Sequence, residues 1–323
     1  MKNKRLIFAG KLGLTALLLF LLYRKLSFAD LAAMFADIRP APILAVMALL
    51  FVNTFVSAVR WRLLLKADGL DMPLGRLLAT YLIGQFFNLF LPSNIGGDAY
   101  RIVHTSADAA LSKSFTSVLA DRFSGFIALA IVGLLASLAG FRLFQDKPML
   151  LLPMAGFVAI LAAIGIALRR AWMERLLAWS RLGRITKLRS FAMKCSDSFE
   201  HYLGNRGLLL KIMLISFLFQ GIAVLCIRLL CASMPGADLP SWLNFFIFVP
   251  IIFILEAVPL TIFGIGLRDT AYKLFFTHSG ASNPEAQAAA VCALYIAVTI
   301  LYTALTGGCL YLVRTFSARR ARE

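Results

Sequence analysis

Residues 81–98 read YLIGQFFNLFLPSNIGGD, and the second half of that stretch decides the fold. The run from 77 to 97 carries no charge, so hydropathy alone would count it as a membrane span. Yet Gln85, Asn88, Pro92, Asn94, Gly96 and Gly97 all precede Asp98. Lipid offers no water to solvate amides or to satisfy backbone groups freed by a proline, so this half does not suit a lipid-facing helix. The expected form is a helix of ~14 residues that breaks at Leu91-Pro92, then a turn. A new helix follows near Asp98, whose carboxylate can cap it.

The surrounding chain is built for a membrane. Of 323 residues, 60% are apolar and 15% charged, and mean hydropathy is +0.83. A soluble protein of this length has too little interior to hide that apolar surface, and 27 Phe oppose disorder. The net charge of +17 comes from 33 Lys and Arg against 16 Asp and Glu. In a membrane protein such an excess collects in cytoplasmic loops and meets anionic headgroups, so no nucleic-acid partner is expected. The cysteines (Cys195, Cys226, Cys231, Cys292, Cys309) and the histidines (His104, His201, His278) show no ligand spacing. No metal and no cofactor is expected.

Six stretches read as full spans: the N-terminal run up to Tyr23-Arg24-Lys25, then 41–59, 123–141, 148–168, 208–233 and 286–313. The N-terminal run has no small-x-small cleavage site and is expected to stay as a span. Arg60-Trp61-Arg62, after the second span, reads as an interface anchor, as does Arg228 near the end of another. Asp121-Arg122 is open to the reading that it marks a span start. Residues 169–207 hold nine Lys and Arg, with Trp172, Leu176, Leu177, Trp179 and Leu182 among them. They read as a basic amphipathic segment on the cytoplasmic leaflet.

Basic loops then set topology. The N-terminus, loop 60–76, segment 169–207 and the C-terminal tail all read as cytoplasmic, and loop 234–242, with no Lys or Arg, as external. Three apolar stretches lie between loop 60–76 and segment 169–207, an odd number for two loops on one side. One of them must enter and return, and 77–92 carries the breakers. Likewise two stretches follow loop 234–242, of which 243–263 holds Pro250, Glu256 and Pro259 before Gly264-Ile265-Gly266-Leu267-Arg268-Asp269. The expected fold is an all-α polytopic membrane protein, residues 1–323 forming a single membrane domain. It has six full spans and two re-entrant broken hairpins in an inverted-repeat-like arrangement, the pattern that points to a transport site.

Charge inside the membrane is costly and usually functional. The candidate substrate-binding residues are Asn88, Asn94, Asp98, Arg101, Asp121, Arg122, Glu256, Arg268 and Asp269. Arg presents a planar fork suited to phosphate oxygens, and the carboxylates can hold the arginines in place. Internal ion pairs that merely lock the hairpins are the competing reading. On the binding reading, Arg101→Ala and Arg268→Ala abolish transport while folding stays nearly intact.

At these motifs the chain resembles the transmembrane domain of bacterial lysylphosphatidylglycerol synthases and their stand-alone, flippase-like relatives. The resembling residues are Arg60-Trp61-Arg62, Asn88-x-x-Leu91-Pro92-x-x-x-Gly96-Gly97-Asp98-x-x-Arg101, Ser117-Val118 and Asp121-Arg122 with Gly125. Glu256-x-x-Pro259 and Gly264-Ile265-Gly266-x-Arg268-Asp269 complete them, with Asp269 where the family pattern has Glu. The resemblance implies a multi-pass protein of the bacterial cytoplasmic (inner) membrane that moves a phospholipid or lipid-linked headgroup between leaflets. The implied partners are membrane lipids with an anionic headgroup. The chain ends ten residues after its last span, so the synthases' aminoacyltransferase domain is expected to be absent, and enzymatic activity with it. The alternatives are an intramembrane lipid-modifying transferase, such as one making aminoacyl-phosphatidylglycerol, and a non-catalytic membrane scaffold. A homo-oligomer is left open.

Overall fold

The computed structural model describes residues 38–89, 95–106, 111–141, 151–169, 171–172, 174–175, 186–234, 238–257 and 266–320. Regular structure among them is helical throughout: α1 Pro40–Ala67, α2 Leu74–Asn88, α3 Ile95–Thr105, α4 Leu111–Gly140, α5 Leu151–Ala167, α6 Thr186–Gly204, α7 Arg206–Ala232, α8 Trp242–Ala257, α9 Leu267–His278, α10 Pro284–Thr303 and α11 Cys309–Arg320. A five-residue π turn, Ala304–Gly308, joins α10 to α11.

Among the described residues, four helical runs are long and apolar enough to cross a membrane: α1, α4, α7 and the run Pro284–Phe316. A helix satisfies its own backbone, which is the requirement that hydrocarbon imposes. The apolar helix α5, at 17 residues, covers most of the expected span 148–168. The expected N-terminal span lies outside the described residues, as do Pro92, Asn94, Pro259, Gly264 and residues 176–185.

The chain forms two compact units. One comprises residues 52–134, 148–221 and 303–323. Within it α2 and α3 fold back on each other as an antiparallel hairpin. Phe87 meets Tyr100 with ring centroids 5.2 Å apart, and Arg76 donates to the His104 carbonyl at 3.3 Å. Glycines let the two arms touch: a Cβ at Gly97 would stand 2.5 Å from the Gly84 carbonyl oxygen. Helix α2 is approached still more closely by Gly307 of the π turn, at the Leu82 carbonyl. The hairpin starts and finishes in one place. Lys113 Nζ, at the start of α4, donates to the carbonyl of Asp68, just past α1, at 2.8 Å.

The other unit comprises residues 1–51, 135–147 and 222–302. It carries the second antiparallel hairpin, α8 and α9. Phe275 lies 5.1 Å from Phe245 and 5.3 Å from Phe248 by ring centroids. This hairpin too starts and finishes together, since the Asp238 carboxylate accepts both the Ser282 N–H and its hydroxyl at 2.8 Å. Arg228 holds the connection before it, donating to the Pro240 carbonyl at 2.8 Å and stacking over Trp242 at 4.2 Å.

Several expectations are corrected. Helix α1 continues to Ala67, so Arg60-Trp61-Arg62 lies inside it rather than after it. Trp61 is fully buried and donates from Nε1 to Ser117 Oγ at 3.0 Å, so it is a core residue and not an interface anchor. Helix α4 starts at Leu111, ten residues before Asp121, so Asp121-Arg122 does not mark its start. Helix α3 starts at Ile95, which puts Asp98 in its first turn rather than at the cap. Along α6, Phe199 and Tyr202 are buried among Leu64, Ala120, Leu208 and Ile212, so that part of the basic segment packs on protein.

Candidate functional site

The first cluster is assembled from α1, α3 and α4. Arg60 and Asp121 are both buried, and Arg60 Nε donates to Asp121 Oδ1 at 2.7 Å. Arg60 Nη1 also reaches Ser216 Oγ on α7 at 2.9 Å. The other carboxylate oxygen of Asp121 takes Arg101 Nη2 at 2.9 Å. Arg101 Nη1 lies 3.4 Å from Asp98 Oδ1; the two stand three residues apart on α3, which puts them on one face. Both ring systems beside Arg101, Trp61 and Tyr81, lie 4.2 Å from its guanidinium carbon. Asp98 in turn receives Arg122 through two bonds, Nε to Oδ2 at 2.9 Å and Nη2 to Oδ1 at 3.1 Å. Neighbours on a helix point ~100° apart, so α4 can aim Asp121 inward and Arg122 toward the edge.

This chain of contacts, Arg60–Asp121–Arg101–Asp98–Arg122, holds three guanidiniums and two carboxylates. It is buried at the Arg60 end and open at the other, where the Arg122 and Asp98 side chains are 35% and 23% exposed. A buried Asp121 alone would be strongly disfavoured as an ion; two arginines make it tolerable. Removing one member therefore strands a charge, at a cost of about 3–5 kcal/mol. By that argument Arg101→Ala should cost stability as well as any transport.

The second cluster belongs to the other unit. Arg268, in the first turn of α9, has a side chain only 3% exposed, and Nη1 lies 3.5 Å from Glu256 Oε1. Tyr295 contributes a ring 5.2 Å from the guanidinium carbon. Asp269 works locally: its Oδ2 accepts the Gly266 N–H at 2.8 Å. Gly266 has φ +89, so its left-handed backbone starts α9 where a side chain would be strained.

Among the sequence-derived candidates, Asp98, Arg101, Asp121 and Arg122 are thus joined in one network and Glu256 with Arg268 in another. Asn88 has a structural task, since its Oδ1 accepts the Gly97 N–H at 2.7 Å and ties the end of α2 to the start of α3. Asn94 lies outside the described residues. Arg60, Trp61, Tyr81 and Ser216 were missed. For Arg60 and Trp61 the signal was present, as the opening motif of the resemblance, but an Arg and a Trp at the end of a hydropathic run read equally well as anchors.

Comparison with known proteins places the chain among membrane proteins. The profile of the lysylphosphatidylglycerol synthase TM region matches residues 8–307. A UPF0104 membrane protein of Methanothermobacter thermautotrophicus is 25% identical over 276 residues, covering 78% of this chain and 80% of the relative. Another UPF0104 membrane protein, from Pyrococcus horikoshii, is 25% identical over 154 residues. That match covers 46% of this chain and less than half, 45%, of the relative.

Proposed function

Because the chain belongs to the lysylphosphatidylglycerol synthase transmembrane-region family, we propose that it is a lipid translocase of the cytoplasmic membrane. It passes the anionic headgroup of a phospholipid or lipid-linked compound between leaflets while the acyl chains stay in the bilayer. The observation that carries this reading is the charge count of the first network. Among the described residues, three guanidiniums against two carboxylates leave one positive charge over in this network, in a protein whose surroundings are hydrocarbon. A phosphate in that setting needs compensation, since an isolated ion there is very costly. The partly exposed Arg122 end is where a headgroup first meets the excess.

Both hairpins are re-entrant in this reading. Their arms hold 15, 11, 16 and 12 residues. At 1.5 Å per residue the longest is about 24 Å, short of the ~30 Å hydrocarbon core. Each hairpin also returns to its point of departure. The termini then lie on the cytoplasmic side, as the basic loops require.

The test is bleaching of fluorescent phospholipid by dithionite in proteoliposomes. Vesicles with protein should bleach well beyond the outer-leaflet half, and Arg122→Gln should slow the inner-leaflet phase. If protein-containing vesicles bleach no further than protein-free ones across anionic, zwitterionic and polyprenyl-linked lipids, translocation is not the function.

A further inference from the structure

The two buried arginines that follow the chain breaks differ in how their donors are used. Arg101 spends Nη1 on Asp98 and Nη2 on Asp121, and aromatic rings stand at 4.2 Å from its guanidinium carbon. Arg268 places Nη1 on Glu256, a long contact at 3.5 Å, and its guanidinium also borders the buried Cys292 thiol. Its Nε and Nη2 are buried and make no hydrogen bond among the described residues. Tyr272, one helical turn further along α9, is fully buried and its hydroxyl is likewise unbonded.

We propose that the Nε–Nη2 edge of Arg268, together with the Tyr272 hydroxyl, is a receptor for a phosphate oxyanion, and that Arg101 is a structural lock. For the lipid headgroup this rests on the translocase reading above; the receptor chemistry itself does not. Nε and Nη2 lie on the same edge of the guanidinium, so their N–H bonds run parallel. That is the side-on fork that engages two oxygens of a phosphate or carboxylate at once. Buried donors left unpaired are costly, and native proteins keep few of them. Here three gather on one face, because residues four apart on a helix are neighbours. The start of α9 adds a partial positive charge on the same side.

Glu256 supplies the counter-charge in the resting protein. Its side chain is 26% exposed while that of Arg268 is 3% exposed, so the carboxylate is the partner with room to yield as a phosphate takes its place. Asp269 does not compete through Oδ2, which is committed to the Gly266 N–H. The site therefore works by anion exchange: Glu256 leaves Arg268 when the oxyanion arrives and returns when it departs.

The experiment measures lipid retention by native mass spectrometry of the full chain in detergent, with phosphatidylglycerol as the probe and a phosphate-free glycosyl diacylglycerol as the control lipid. Wild type should retain phosphatidylglycerol and not the control. Arg268→Gln should weaken retention about ten-fold or more, and Tyr272→Phe by a smaller factor, as expected for charge-assisted and neutral hydrogen bonds respectively. Glu256→Gln should tighten retention, because the competing carboxylate is gone; a merely structural Glu256–Arg268 pair would not give that gain. Arg101→Lys should lower thermal stability, and Arg228→Lys, at the connection before α8, should leave retention within about two-fold. A further arm adds inorganic phosphate. Competition identifies the bare oxyanion as sufficient, and failure to compete, with retention still dependent on Arg268, identifies the lipid as the ligand. Equal retention by wild type, Arg268→Gln and Tyr272→Phe overturns the proposal, as does equal retention of the phosphate-free lipid. Should Arg268→Gln fail to fold, Tyr272→Phe and Glu256→Gln still decide. Retention that depends on Arg268 in a protein that does not move lipid would sink the translocase reading and leave the receptor standing.

Discussion

Arg60 and Asp121 stand 61 positions apart in sequence and 2.7 Å apart in space, each side chain buried. The bond fastens the C-terminal third of α1 to α4 and presents the other oxygen of Asp121 to Arg101. One carboxylate thus holds two guanidiniums from two different helices.

Asp121→Asn should consequently be among the most damaging single changes in this unit. It leaves Arg60 and Arg101 facing low dielectric without their shared counter-ion, at a cost of about 3–5 kcal/mol. Thermal unfolding in detergent measures the loss. A melting temperature equal to that of wild type would show that the network contributes no stability.

Topology is tested by labelling single cysteines, placed in a chain cleared of the five native ones, with a membrane-impermeant reagent on intact cells. Positions 66 and 113 should behave alike, because Lys113 touches the carbonyl of Asp68. Positions 238 and 282 should behave alike and opposite to the first pair, given the bonds between Asp238 and Ser282. Unequal labelling within either pair would mean that the hairpin between its members crosses the membrane.

Gly97→Ala should destabilise the first hairpin by roughly 1–3 kcal/mol, the usual cost of overpacking. The added methyl meets the Gly84 carbonyl at 2.5 Å, and backbone cannot turn aside as a flexible side chain can. Gly156→Ala, on α5, is the matched control, since a Cβ there meets nothing within 4 Å. Similar melting temperatures for the two variants would refute the close approach of α2 and α3.

Alkaline pH should loosen α6. Tyr202 donates to Asp68 Oδ2 at 2.6 Å, and burial first, then the Asp68 carboxylate, raise the phenol above its ordinary value near 10. A folded-state value raised above the unfolded one means that the contribution is complete below pH ~10 and is lost as pH climbs beyond it. Tyr202→Phe should flatten that alkaline loss and lower stability at neutral pH by about 1–3 kcal/mol, since Asp68 Oδ2 loses its donor. Protease sensitivity of residues 186–204 between pH 7 and 11 reports both effects.

Composition and breaker placement were enough for the helical membrane class, most of the long apolar helices and the paired short helices on either side of each break, because hydrocarbon allows so few backbone solutions. The motif residues Asp98, Arg101, Asp121, Glu256 and Arg268 were also legible, since charge in an apolar run stands out. What sequence could not assign was the task of each. Arg60 looked like an anchor because, on a hydropathy profile, an arginine that ends an apolar run and one buried against a distant carboxylate are the same letter. Asn88 and Asp269 read as ligand groups, and the structure also gives each a helix end to tie, through whichever backbone N–H comes within bonding distance. Arg101 and Arg268 occupy equivalent places after their breaks, yet Arg101 gives both its terminal nitrogens to carboxylates while Arg268 keeps the Nε–Nη2 edge open. Only tertiary structure decides that, because hydrogen bonds depend on ångström-scale separations between groups tens of residues apart, whereas burial in lipid depends on little more than composition.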